Sequence, residues 1–404
     1  MSETPPPEPA RTRARARLPL AVILLGFTSL FTDVGTEMIF PLLPVFLTEV
    51  LKAGPAYIGL VEGAADTVSS LLKLASGVVA DRVPRRKPLV LLGYGLSSAV
   101  RPFVALATQP WHVLAVRVTD RVGKGIRGSP RDALIADAAG DRAGHAFGYQ
   151  SAMDNLGAVV GPLIATGLVA LHMSLRGVFW IAVIPGAIAT ALVVAVREPP
   201  RAAAVAPPTG KGARPAGVLT PTLTSYLIIL ALFSLGNSSD GFLLLRARSL
   251  GLSTAEIPIL WAVLNASKVG WAWLGGNLAD RLPRARLIAI GWVVYALVYA
   301  GLGEATATWQ VWALFILYGV FYGLTEPVEK ALLKDLVRPE QRGRAYGAYN
   351  FVAGITALPA GLMTGLLWHT WGPARALEVA AALAGAAGVA ILGWDAWRRR
   401  AKVD

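Results

Sequence analysis

Two carboxylic acids, Asp33 and Glu37, stand one helical turn apart inside an apolar run near the start of the chain. A carboxyl group in such a run has two uses. It can exchange a proton, because an apolar setting favours the neutral acid over the carboxylate, or it can hold a buried cation. Further on, Glu62, Asp66 and Lys73 recur at spacings of four and seven, which puts them on one face of a helix. Arg101 follows alone, then Arg117, Asp120, Arg121, Lys124 and Arg127 form a second stripe, and Asp154 completes the set. Each charge would cost roughly 2.5–3.5 kcal/mol facing lipid, so together they must face inward and pair. Acids and bases balance, six of each. The second half of the chain offers fewer charges, Asp240, Lys268 and Glu326, beside the aromatic and amide side chains of Trp261, Asn265, Tyr318 and Tyr322.

The elements that position these groups are membrane helices. Of 404 residues, 54% are hydrophobic and 16% charged, where a soluble domain carries about a quarter charged. At roughly 20 residues per span, the chain holds about a dozen helices and little else. Apolar runs fall near 18–48, 55–80, 88–107, 111–135, 145–171 and 176–196, then near 221–248, 254–280, 286–303, 309–335, 344–370 and 375–397. Residues 1–17, rich in Pro and Arg, read as a disordered tail, 197–219 as a linker of Pro, Ala, Gly and cations, and 398–404 as a second tail. The expected fold is an all-α membrane protein of twelve transmembrane helices, six over 18–196 and six over 220–397.

A net charge of +13 would point to nucleic acid in a soluble protein. Here the cations collect in alternate loops, at Arg11 to Arg17, Arg82 to Lys87, Arg281 to Arg286 and Arg398 to Lys402, while Thr108 to Trp111 carries none. This positive-inside pattern puts both termini in the cytoplasm and argues against nucleic acid. The chain has no cysteine, which excludes disulfides, thiolate metal sites and cysteine nucleophiles. Its histidines, His112, His145, His172 and His369, show no ligand spacing. No metal, cofactor or enzymatic activity is expected.

The halves repeat one another. Gly77-Val-Val-Ala-Asp81-Arg82-Val-Pro-Arg85 matches Gly276-Asn-Leu-Ala-Asp280-Arg281-Leu-Pro-Arg284, and Gly144-His-Ala-Phe-Gly148 matches Gly343-Arg-Ala-Tyr-Gly347. Both pairs share one offset, 280 − 81 = 343 − 144 = 199, the mark of a duplication. Transporters built from such halves place the solute between them, near the bilayer midplane. Reflecting positions across the loops puts Asp66, Arg101, Arg117 and the helix 1 acids in one layer. An Asp66–Arg101 pair is therefore expected.

These residues resemble the major facilitator superfamily, and the resemblance covers nearly the whole chain. The loop with Gly77, Asp81, Arg82 and Arg85, and its copy with Gly276, Asp280, Arg281 and Arg284, is similar to the family's cytoplasmic latch, which implies a gating role. Arg121 and Lys124-Gly125 resemble a second motif, which usually has a neutral amide where Lys124 stands. Gly148, Gly157 and Gly161-Pro162 resemble the helix 5 motif of antiporters, with Ala165 and Thr166 where two glycines are expected. Glu37-Met-Ile-Phe-Pro41 is similar to a run in helix 1 of multidrug/proton antiporters. Because helix 1 lines the central cavity in this family, the resemblance makes Glu37 and Asp33, then Asp154 and Asp66, candidates for proton coupling. Arg117, Arg121, Lys124, Asn265, Trp261, Tyr318, Tyr322 and Glu326 are candidates for the substrate cavity.

The implied function is secondary transport of a small organic solute by alternating access, first of all proton-coupled efflux. The alternative is proton-coupled uptake or exchange of an organic anion, such as a metal chelate or a phosphorylated metabolite, which the cationic stripe of helix 4 could bind. A non-transporting membrane sensor is a further alternative, against which the paired gating loops argue. The expected partners are the solute, protons and the lipid of a bacterial inner membrane, with the chain as a monomer.

Overall fold

The computed structural model describes residues 18–139, 143–198, 220–279, 282–337 and 342–400. In chain order the helices are α1 (Leu20–Val50), α2 (Pro55–Arg82), α3 (Lys87–Leu106), α4 (Pro110–Ala139), α5 (Ala143–Ala170) and α6 (Leu175–Ala195). Then come α7 (Pro221–Ser249), α8 (Glu256–Ala279), α9 (Arg284–Glu304) and α10 (Thr308–Leu336). The last two, α11 and α12, make up Arg342–Arg400 and part only at Gly372, where φ is 84° and ψ 171°. Only glycine adopts that conformation readily.

Among the described residues, eight runs are long and apolar enough to cross a membrane, the last covering both α11 and α12. α2 and α4 fall outside that set although they are 28 and 30 residues long. Their charges, such as Asp66 and Lys73 on α2 and Arg117, Arg121 and Lys124 on α4, lower the average. Such helices need protein or water around them rather than lipid.

The packing repeats between halves. In the first, α1 packs on α5 and α6, α4 on α2 and α3, and α3 on α6; in the second, α10 packs on α8 and α9, and α12 on α7 and α9. Among the described residues the two broadest contacts between the halves are α2 with α11 and α5 with α8, with smaller ones of α7 and α8 on α1. The first is a line of small residues. A methyl on Gly63 would come within 2.7 Å of Leu358 Cα, and one on Gly59 would land on the Gly361 carbonyl.

Three expectations need correcting. The seventh helix is broken: α7 consists of Pro221–Gly236 and Gly241–Ser249 with non-helical backbone between. Its glycines and short polar side chains, Gly236-Asn-Ser-Ser-Asp240-Gly241, favour caps and turns over helix interior. The twelfth helix continues through Arg400 into the expected tail, because Arg398 and Arg399 bond Asp395 one turn back (2.9 Å each) and cations suit a helix C-terminus. And a single glycine, rather than a loop, separates α11 from α12.

Candidate functional site

A cavity of about 520 Å³ lies between the halves, walled by α1, α2 and α4 on one side and by α7, α8, α10 and α11 on the other. Glycines set its first wall. A methyl on Gly157 would sit 2.7 Å from the Leu30 carbonyl and 2.8 Å from Asp33 Cβ. One on Gly161 would sit 2.6 Å from the Val34 carbonyl and 2.9 Å from Glu37 Cβ. α5 thus lies directly against α1 at the two turns that carry the acids, and both acids line the cavity.

α2 and α4 carry the charge lattice. Arg117 gives two bonds to Glu62 (3.0 and 2.6 Å), with both side chains buried. Arg101 bonds Asp120 (2.9 and 3.2 Å) and the Thr32 carbonyl (3.1 Å), and Arg117 lies 3.9 Å from the same Asp120. One turn along, Arg121 lies 3.7 Å from Asp66. The expected Asp66–Arg101 pair is therefore wrong. It took α2 and α3 for neighbours because they are consecutive, whereas α2 packs on α4. α2 and α4 run parallel, so partners share a constant difference, 117 − 62 = 121 − 66 = 55. Deeper in the same half, Arg127 bonds Ser97 Oγ (2.7 Å) and stands 4.4 Å from the Tyr94 ring centroid.

The second wall is aromatic. Tyr318 and Tyr322 donate to the two oxygens of Asp240 (2.9 and 2.8 Å). Behind them Tyr295, Tyr299 and Phe321 pack ring against ring. The break in α7 frees backbone carbonyls, and Tyr295 takes that of Gly236 (2.9 Å). Ser234, Asn237, Ser238, Ser239 and Asp240 all line the cavity, the setting in which irregular backbone is tolerated at membrane depth. The Lys268 ammonium lies 3.7 Å from the Tyr322 ring centroid, 4.9 Å from that of Trp261 and 3.9 Å from Asp240. Across the cavity, Trp261 Nε1 donates to Glu37 Oε2 (2.6 Å), a direct bond between the halves.

The structure brings Asp33, Glu37, Asp66, Arg121, Lys124, Trp261, Asn265 and Tyr322 to one cavity. Asp154 lies outside its lining and accepts from Gln150 (3.0 Å). Arg117 and Tyr318 also stand outside it, committed to Glu62 and Asp240, and Glu326 is not among the lining residues. Of the latch residues, Arg85 is exposed, and Arg284 bonds Asp335 and the Ala331 carbonyl (3.0 Å) within its own half. Asp280 and Arg281 lie outside the described residues, as do the side chains of Asp81 and Arg82 and the surroundings of Gly77, Gly148 and Gly276. Sequence reasoning missed the break in α7 and the Glu62–Arg117 pair. It named Asp240 and Lys268 without placing them in the cavity.

The Major Facilitator Superfamily model matches residues 25–361. The chain belongs to that superfamily. An uncharacterized MFS-type transporter of Methanocaldococcus jannaschii is 33% identical over 356 residues, which is 86% of this chain and 88% of the relative. The multidrug resistance protein MdtH of Photorhabdus laumondii is 29% identical over 162 residues, 40% of each chain. Among solved structures, the nucleoside transporter NupG superposes with a TM-score of 0.73 at 15% identity, covering 93% of this facilitator and 98% of that chain. As a facilitator, the chain has its charged cavity where two pseudo-symmetric bundles meet.

Proposed function

We propose that this facilitator couples a small organic solute to protons and that Glu37 is the coupling carboxylate. The bond from Trp261 to Glu37 carries the proposal. It ties α1 of one half to α8 of the other, so it must break or re-form when the halves rock about the site. A hydrogen bond to an ionised carboxylate is roughly twice as strong as one to a neutral acid. A proton on Glu37 therefore loosens the contact, and its departure tightens it. Asp33, one turn back on the same wall, is the second acid on the proton's way. The cation-rich loops support cytoplasmic termini. Efflux by antiport is the second reading, favoured by the partial likeness to a multidrug resistance protein.

The test uses proteoliposomes and a solute found by screening for solute-induced proton movement. Glu37→Gln fixes the neutral form. It should keep solute exchange across the membrane and lose accumulation driven by a pH gradient, while Asp154→Asn should retain both. Full pH-driven accumulation in Glu37→Gln, with its loss in Asp154→Asn, would move the carrier to α5.

A further inference from the structure

We infer that the solute carries an anionic group, a carboxylate or a phosphate, held between Arg121 and Lys124 of one half and Lys268 of the other. This rests on Glu37 as the coupling acid and adds the sign of the solute's charge.

Of six carboxylates at the wall, four already have donors: Glu62 takes Arg117, Asp120 takes Arg101, Asp240 takes two tyrosine hydroxyls and Glu37 takes an indole, which leaves Asp33 and Asp66 against four loosely held cations. The cations do not have matching acceptors. Among the described residues, the Lys73 and Lys124 ammonium groups make no hydrogen bond or ion pair, and that of Lys268 has only a loose pair at 3.9 Å with Asp240. Arg121 Nε is buried with no hydrogen-bond acceptor and only a loose pair at 3.7 Å with Asp66. A buried donor without an acceptor, such as Arg121 Nε, is costly, and the exposed Lys73 and Lys124 side chains are open to a ligand; a carboxylate or phosphate offers two or three acceptor oxygens at once. An organic ammonium would meet the opposite situation. The ring faces of Trp261 and Tyr322, where a cation would rest, are already covered by Lys268.

The charges around Glu37 then fix the sense of coupling. The cavity sets Lys268 of α8, Lys124 and Arg121 of α4 and Asp33 of its own helix around it, while α5 meets it with Gly161. As a carboxylate, Glu37 offsets these cations; protonated, it leaves them to the solute. Proton and anion therefore favour each other's binding, by the same factor in each direction, and travel together. An ammonium would compete with the proton and run against it.

A matched series of probes tests this on the full-length protein in detergent: benzoate and phenyl phosphate as anions, benzylammonium as the cation and benzyl alcohol as the neutral control. Both anions are expected to raise the melting temperature, and the other two to leave it unchanged. Lys124→Gln and Lys268→Gln should each weaken anion binding by about tenfold or more, and Lys124→Arg should restore it. Glu37→Gln should bind benzoate at least as tightly as the parent. No stabilisation by either anion, equal stabilisation by benzylammonium, or full anion binding in both lysine variants overturns the inference. If Glu37→Gln retains pH-driven flux while the anion series behaves as stated, the coupling assignment fails and the anion site stands.

Discussion

Glu62→Ala is expected to destabilise the protein by about 3–5 kcal/mol, the usual cost of removing one partner of a buried ion pair. The Glu62 and Arg117 side chains are 6% and 3% exposed, so neither water nor lipid headgroups can replace the lost partner. The remaining guanidinium would keep only Asp120, 3.9 Å away and already bonded to Arg101. The variant should accumulate poorly and melt well below the parent in detergent. Glu62→Met combined with Arg117→Leu removes both charges and fills a similar volume. Apolar replacement of a whole buried pair is often neutral or stabilising, so the double variant should regain most of the loss. Equal melting temperatures for the single and double variants would show that Arg117 has another partner and that the lattice is misdrawn.

Gly59→Val should abolish transport without unfolding the protein. Gly59 meets the Gly361 carbonyl where α2 crosses α11, and Gly63 and Gly365 continue the contact on either side. A side chain there acts as a wedge that forces α2 and α11 apart and leaves each half intact. Overpacking costs about 1–3 kcal/mol, enough to shift a two-state balance by about 5–150-fold. The absence of cysteine from the chain makes the measurement clean. Arg248 Nε of the second half lies 2.6 Å from Glu49 Oε1 of the first. Glu49→Cys with Arg248→Cys should therefore be joined by a short bifunctional maleimide in the parent, since a disulfide would need the backbones closer than two long side chains meeting at their tips require. The cross-link should fade once Gly59→Val is added, at an unchanged melting temperature. An undiminished cross-link would mean that the wedge is absorbed locally.

Much of this arrangement could be read in the sequence, for identifiable reasons. Apolar run length locates membrane helices well, and one offset of 199 residues revealed the two halves. Glu37, Asp33 and Lys124 line the cavity, and a charge at membrane depth has few other places to go. Partner choice failed where it depended on which helices touch. Reflection across loops estimates depth, but Arg101 and Asp66 needed adjacent helices, and α4 intervenes with Asp120 and Arg121. The break in α7 stayed hidden because Gly236 to Gly241 is short beside the apolar stretches around it. The Glu37–Trp261 bond was illegible because nothing in either half's own pattern says which residue of the other it faces.

The single-residue joint at Gly372 has a mechanical consequence. α11 bears on the opposite half through Gly361 and Gly354, and α12 bears on its own through contacts near Ala380 and Val293. With no slack between these two rods, displacement at the interface passes straight into the body of the second half, which swings as one lever. The same stiffness makes this turn a poor place to splice a reporter or an affinity tag. A graft there would lengthen the linkage at the point where force is handed on, so labels belong at the chain ends instead.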